Sequence, residues 1–180
     1  MKATCANIQG IIILEPMVFY DERGFFFESY NQKTLAVLGI VDSFVQDNHS
    51  FSRRGTIRGI HYQVGGSPQA KLVRVVSGEV FDVAVDLRRS SPTFGRWFGM
   101  VLSASNKIQI YIPIGFGHGF AALSDTAEML YKASDFYAPE HERCIRWDDP
   151  DLAIDWPVAG ERIISEKDAG GSFFREADLP

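Results

Sequence analysis

Cysteine, histidine and basic charge are all scarce in this sequence, and each scarcity closes off a class of function. Only two cysteines occur, Cys5 and Cys144, at a spacing that matches neither a disulfide framework nor a zinc motif. No apolar run reaches the roughly 20 residues that a membrane-spanning helix needs. The opening Met1-Lys2-Ala3-Thr4-Cys5 has no signal-peptide core. Together these features read as a cytoplasmic protein with free thiols and no membrane partner. The net charge is -5, which argues against nucleic acid, because a phosphate backbone calls for a basic surface. A single nucleotide needs only a few local cations and stays open. No internal repeat, linker or low-complexity run breaks the chain, and its 180 residues predict one domain over 1–180.

What is abundant is apolar and aromatic. Hydrophobic residues make up 46% of the chain and phenylalanine fills 14 positions, which favours strands and aromatic packing over a helical bundle. Short strands are expected over residues 11–14, 25–30, 72–76, 80–87, 97–102, 108–112, 120–123 and 127–133, with turns close between them. In residues 25–30 the alternation puts Phe26, Glu28 and Tyr30 on one face, so Glu28 should lie among aromatics. In 80–87 it puts Phe81, Val83, Val85 and Leu87 on one face and Asp82 and Asp86 with Val80 and Ala84 on the other. Asn31 can cap a short helix over 32–38, stopped by Gly39. Residues 113–119 read as a glycine-rich loop, and the polar stretch 148–180 as a wrap around the barrel. The class is all-β, a sandwich or barrel.

The densest chemistry lies between Gln46 and Lys71. Gln46-Asp47-Asn48-His49-Ser50 is followed by Arg58-Gly59-Ile60-His61-Tyr62-Gln63 and then Lys71. Polar groups this crowded beside apolar strands suggest side chains aimed into a cavity, where they must be paired or hydrogen-bonded. The competing reading is a solvated hairpin. Among the four histidines, His49, His61, His118 and His141, His61 stands out because Arg58 and Lys71 are near in sequence. Positive neighbours keep an imidazole unprotonated, which suits a general base. Such a base needs a carboxylate to orient it, and the residue pattern does not say which. A regular strand would also point Arg58 away from His61; both reach one cavity only if the strand bulges, which Gly59 would tolerate. A metal site in the style of many small barrels would want His-x-His, but Gln63 follows His61-Tyr62 and breaks the pair, leaving too few ligands. Tyr131, mid-strand on an otherwise apolar face, reads as a core tyrosine.

Several longer motifs are more specific. Residues 19–26 (FYDERGFF), 46–50 (QDNHS), 58–63 (RGIHYQ), 71–74 (KLVR), 78–86 (GEVFDVAVD), 91–95 (SPTFG), 112–120 (IPIGFGHGF), 131–132 (YK) and 165–168 (SEKD) occur in that order. On these the chain, from about Ile12 to Asp168, resembles the dTDP-4-dehydrorhamnose 3,5-epimerases, cupin-fold enzymes of sugar-nucleotide metabolism. The resemblance implies a cupin-type jelly roll with a few short peripheral helices. It also implies an isomerase that inverts C3 and C5 of a dTDP-4-keto-6-deoxy-hexose, on the way to dTDP-L-rhamnose and cell-surface polysaccharide, with no cofactor and no metal. His61 matches the family's base, Asp168 the carboxylate that orients it, Lys71 the cation beside the enolate oxygen and Tyr131 the acid on the far face. Arg23, Glu28, Gln46, Asp47, Asn48, Arg58, Lys71, His118, Glu142 and Lys167 match substrate-binding positions. A homodimer is implied, with residues 11–14 adding a strand to the partner's sheet. The motifs leave open an epimerase of C3 alone or C5 alone. A non-catalytic nucleotide-sugar binder and a metal-dependent cupin oxygenase are the alternatives from other classes.

Overall fold

Short strands with alternating apolar residues bury one face only if a second sheet covers it. The computed structural model, which describes residues 1–180, has two such sheets. The chain begins with β1 (Lys2–Cys5), β2 (Ile12–Glu15), a hairpin of β3 (Phe19–Asp21) and β4 (Gly24–Phe26), and helix α1 (Gln32–Val37). The body follows as β5 (Gln46–Arg53), β6 (Ile57–Gln63), β7 (Lys71–Ser77), β8 (Glu79–Asp86), β9 (Trp97–Ser103), β10 (Gln109–Ile112), β11 (Phe116–Ala122) and β12 (Thr126–Ala133). Then come β13 (Glu142–Cys144) and the one-turn helix α2 (Glu166–Ala169).

The six-stranded sheet has the order β1-β2-β10-β7-β12-β5 and the five-stranded sheet β13-β6-β11-β8-β9. From β5 to β13 every connection changes sheet except β8 to β9, which is the jelly-roll arrangement of cupins. Val73, Val75, Ile110 and Met129 from one sheet meet Val80, Ala84 and Phe120 from the other in the central core. The opposite face of β8 is buried too. Val83, Val85 and Leu87 pack under Leu152 and Trp156 of the tail, so the polar C-terminal stretch does wrap the barrel. Each large apolar side chain so buried contributes about 1.5–3 kcal/mol.

Several local expectations change. Asn31 caps α1 as its sequence suggests, its side chain accepting from the Lys33 and Thr34 amides. The strand expected over 25–30 stops at Phe26, and Glu28 is exposed. Its carboxylate instead accepts from Asn31 Nδ2 at 3.0 Å and Thr34 Oγ1 at 3.4 Å, bracing the helix start. The expected loop over 113–119 is strand from Phe116 on. Gly117 and Gly119 belong to that strand because the Ile60 side chain fills the space where their Cβ atoms would stand. Finally, β2 is not a free edge for a partner. It pairs with β1 and β10 of its own chain, and Leu14 is fully buried.

Candidate active site

The site is organised by a fault in strand β6. Opposite it on β11, His118 faces His61 and Phe120 faces Arg58. Two steps along β11 therefore match three along β6, which makes β6 a bulged strand. Gly59 sits at φ 113°, a region open to glycine, and a Cβ there would strike the Gly119 backbone. The Gly59–Ile60 peptide is cis. The extra residue brings Arg58 round to the side of His61, and both line one cavity of about 240 Å³. The cavity reading of this segment therefore replaces the solvated hairpin.

His61 Nε2 donates to Asp168 Oδ1 at 2.6 Å. Asp168 is buried in α2, where its own amide donates to the Ser165 cap. The Gly59 amide donates to its second oxygen at 3.4 Å. Burial pushes the Asp168 carboxyl up, but the bonds from His61 and Gly59 outweigh it and hold the group below its ordinary value. With a carboxylate on Nε2–H, the imidazole keeps Nδ1 as its acceptor.

The facing sheet supplies Lys71 and Tyr131. Tyr131 lies opposite Val73 in the β12–β7 pair, and Lys71, two residues before Val73, shares that inner face. Lys71 is buried, with Nζ 3.5 Å from the His61 carbonyl and 5.8 Å from the Tyr131 ring centre. Burial lowers its ammonium to about 8, against the pull of Asp82 and Glu142. Burial also raises the Tyr131 phenol, with Glu142 adding to the effect and Arg58 opposing it, so the hydroxyl holds its proton.

His118 forms a second histidine–carboxylate pair, with Nε2 2.8 Å from Asp82 Oδ2. The Asp82 side chain is fully buried and its Oδ1 has no partner. No feature of the residue pattern marks Asp82 as part of a site beyond the alternation of β8, which sets an acid on the face of Val80 and Ala84. Arg58 donates from Nε to Ser52 Oγ and from Nη2 to the Phe51 carbonyl. Glu142 lines the cavity, accepting from Tyr137 at 2.5 Å and pairing with Lys167 at 2.6 Å. Burial works against its charge, but those two partners hold its pKa down. Tyr137 lies in a loop, where no periodicity places it at the site. Gln63, which breaks the His-x-His pattern, has both ends of its amide engaged. It donates to the Ser67 and Phe136 carbonyls and accepts from the Ala138 amide, so it braces the loop that carries Tyr137.

Six expected binding residues do not line this cavity. Arg23 is on the exposed β3–β4 hairpin, paired with Asp21. Glu28 supports α1. Gln46 accepts from the Tyr137 amide and donates to Asn48. Asp47 and Asn48 border a neighbouring hollow of about 210 Å³ that shares Tyr131 with the first, and Asp47 pairs with Lys132 at 2.8 Å. Lys167 reaches the site only through Glu142.

Residues 5–176 match the family model described as dTDP-4-dehydrorhamnose 3,5-epimerase. The chain belongs to that family. It is 60% identical to the dTDP-4-dehydrorhamnose 3,5-epimerase of Pseudomonas aeruginosa, over 99% of this chain and 98% of that one. A crystal structure of the Legionella pneumophila dTDP-6-deoxy-D-glucose-3,5-epimerase, in complex with dTDP-4-keto-L-rhamnose, superposes with a TM-score of 0.96 at 49% identity, covering 99% of this chain and 97% of that one. A 3'-monoepimerase from Streptomyces bikiniensis, in complex with dTDP-quinovose, is more distant, at TM-score 0.88 and 35% identity over 94% and 86% of the two chains. The epimerase fold is thus common to relatives that invert two carbons and to one that inverts a single carbon.

Proposed function

We propose that this epimerase-family chain inverts C3 and C5 of dTDP-4-dehydro-6-deoxy-D-glucose, the step that leads to dTDP-L-rhamnose. The observation that carries the reading is the placement of His61, with Asp168 at 2.6 Å, and Tyr131 on opposite sheets of one cavity. The C4 ketone of the substrate makes the protons on C3 and C5 acidic. His61 Nδ1 accepts one of them, and the electron pair moves through the C3–C4 or C5–C4 bond onto the ketone oxygen. Asp168 steadies the imidazolium that forms. Lys71 places an ammonium beside the negative oxygen, an interaction worth roughly 3–4 kcal/mol of barrier by comparison with single oxyanion donors. Tyr131 then gives its phenolic proton to the carbon from the other face, and solvent restores both protonation states. Acid and base on opposite walls are what inversion requires, since a single group working from one wall would return the proton where it left.

Arg58 and His118 bind the sugar or its diphosphate within the cavity, a task for which a planar guanidinium suits phosphate oxygens. Glu142 and Lys167 act as one hydrogen-bonded unit at its rim. Gln46 and Asn48, on the Tyr131 face of the β5–β12 pair, contact the nucleotide at the cavity's margin, and Asp47, on the opposite face, borders the neighbouring hollow. Arg23 and Glu28 are far better exposed than a pocket residue, and the same hairpin leaves Phe19 and Phe26 at 58% and 70% exposure. Such an apolar projection favours a homodimer in which this hairpin reaches the partner. The 180 residues work as one cupin-like domain, in the cytoplasm, upstream of a cell-surface polysaccharide; no helix is long and apolar enough to cross a membrane.

The test is incorporation of solvent deuterium into dTDP-4-keto-6-deoxy-glucose. Label at both C3 and C5 is expected. Label at one carbon only would assign a monoepimerase, and none at all would leave a nucleotide-sugar binder.

A further inference from the structure

Cys144 was not part of any motif, yet the fold sets it against the catalytic pair. In the β13–β6 ladder it stands directly opposite His61, so the two side chains leave the sheet on the same face. Its Sγ lies 3.9 Å from Asp168 Oδ1. The donor atoms of His61, Cys144 and Asp168 all lie within 4.8 Å of one another, and they arrive from three elements, β6, β13 and α2. A tetrahedral zinc(II) site needs sulfur at about 2.3 Å and nitrogen or oxygen at about 2.0–2.2 Å from the metal. Its ligand atoms then stand roughly 3.3–3.6 Å apart, as these lengths at tetrahedral angles require. The sulfur–oxygen separation is already close to that, and the nitrogen–oxygen pair at 2.6 Å would have to open by about 0.7 Å to reach it. One imidazole, one thiolate and one carboxylate also carry the two negative charges that neutralise a divalent ion.

We propose that His61, Cys144 and Asp168 form an inhibitory site for a thiophilic divalent cation of the zinc class. Binding displaces the Cys144 thiol proton to solvent as the metal–sulfur bond forms. His61 coordinates through Nε2, so its ring proton moves to Nδ1. The nitrogen that accepts the substrate's proton then carries a proton of its own, and the base is switched off. The fourth coordination position is left for water. This is a blocking metal, opposite in effect to the catalytic metal that the broken His-x-His disfavours. The cationic neighbours Lys71 and Lys167 oppose the ion, and Glu142 favours it.

The kinetic side of the inference rests on His61 being the base, while the binding side does not. Titration of a Cys5→Ser protein with cadmium(II) should produce the ultraviolet thiolate-to-cadmium absorption at one equivalent, and Cys5→Ser/Cys144→Ala should show none. Zinc(II) should suppress deuterium exchange reversibly on chelation. Replacing Cys144 by Ala or by Ser should raise the half-inhibiting concentration at least about tenfold, the smallest loss expected when a metal site is damaged. Each variant is compared with its own metal-free rate, and the two substitutions guard against a folding defect in either one. Absence of the absorption in the Cys5→Ser protein overturns the site. So does inhibition by zinc with equal potency in the presence and absence of Cys144. Absorption with exchange unaffected would keep the metal site but remove His61 from the base's role.

Discussion

His61 and Asp168 are 107 residues apart in sequence and 2.6 Å apart in space. Their meeting depends on α2, a single turn held at its start by Ser165, which carries Asp168 onto the bulge of β6. The tail is therefore part of the site, and loosening it should affect catalysis before it affects the barrel.

Replacing Asp168 by Asn leaves the shape but removes the charge that holds the imidazole's tautomer and supports its protonated form. Exchange at both carbons should fall by about 10²–10⁴, the range that positioned acid–base groups contribute. Affinity for dTDP should be retained, since Asp168 is buried and meets the cavity only through His61. Calorimetric dTDP binding beside exchange rates would check both; equal loss of binding and rate would contradict the assignment.

Tyr131→Phe separates proton removal from proton delivery. His61 remains, so solvent deuterium should still enter the substrate, returned from the side on which it left. The fraction of inverted product should drop by about 10² or more. Proton spectra that resolve retained from inverted sugar would show the split. Normal inversion in this variant would place the acid elsewhere.

Lys71 makes the pH dependence two-sided. In the proposed mechanism its charge stands beside the enolate, so the rate should decline as pH rises through about 8. Stability should move the opposite way. The folded value lies below the ordinary 10.5, so between about 8 and 10.5 the unfolded chain binds more protons, and the difference makes folding more favourable as pH rises. Denaturant midpoints at pH 7 and pH 9.5, for the protein and for Lys71→Met, would isolate that component, which should vanish in the variant.

Gly119→Ala would put a methyl 2.8 Å from the Arg58 carbonyl oxygen, which is backbone, and 3.4 Å from the Gly59 Cα. Neither can swing aside as a side-chain tip can. Overpacking of this kind costs about 1–3 kcal/mol, and it displaces the strand that carries Arg58 and His61. Melting temperature and exchange rate should therefore fall together. A fully stable but inactive variant would point to a different cause.

Parts of this were legible in the residues and parts were not. The cap at Asn31, the turns and the alternation of β8 and β12 could be read because they depend on neighbours within a few positions. The need for a bulge at Gly59 followed from the same alternation, since Arg58 and His61 differ by an odd number of steps. The roles of Asp168 and Tyr131 came only through the family resemblance; periodicity alone made Tyr131 a core residue. The extension of the strand to Phe116 was obscured by its glycines, whose reason is the Ile60 side chain across the sheet.

Local pattern thus determined which segments became strands, which faces were apolar and where the polar groups were concentrated, because each of these is set by backbone geometry over two to four residues. The tertiary structure alone decided that Asp168, Cys144 and His61 share one corner, that Lys71 and Tyr131 face them from the other sheet, and that β2 is enclosed within its own chain. Those are long-range pairings. They follow from which sheet each strand joins and in what register, and no stretch of sequence carries that choice by itself.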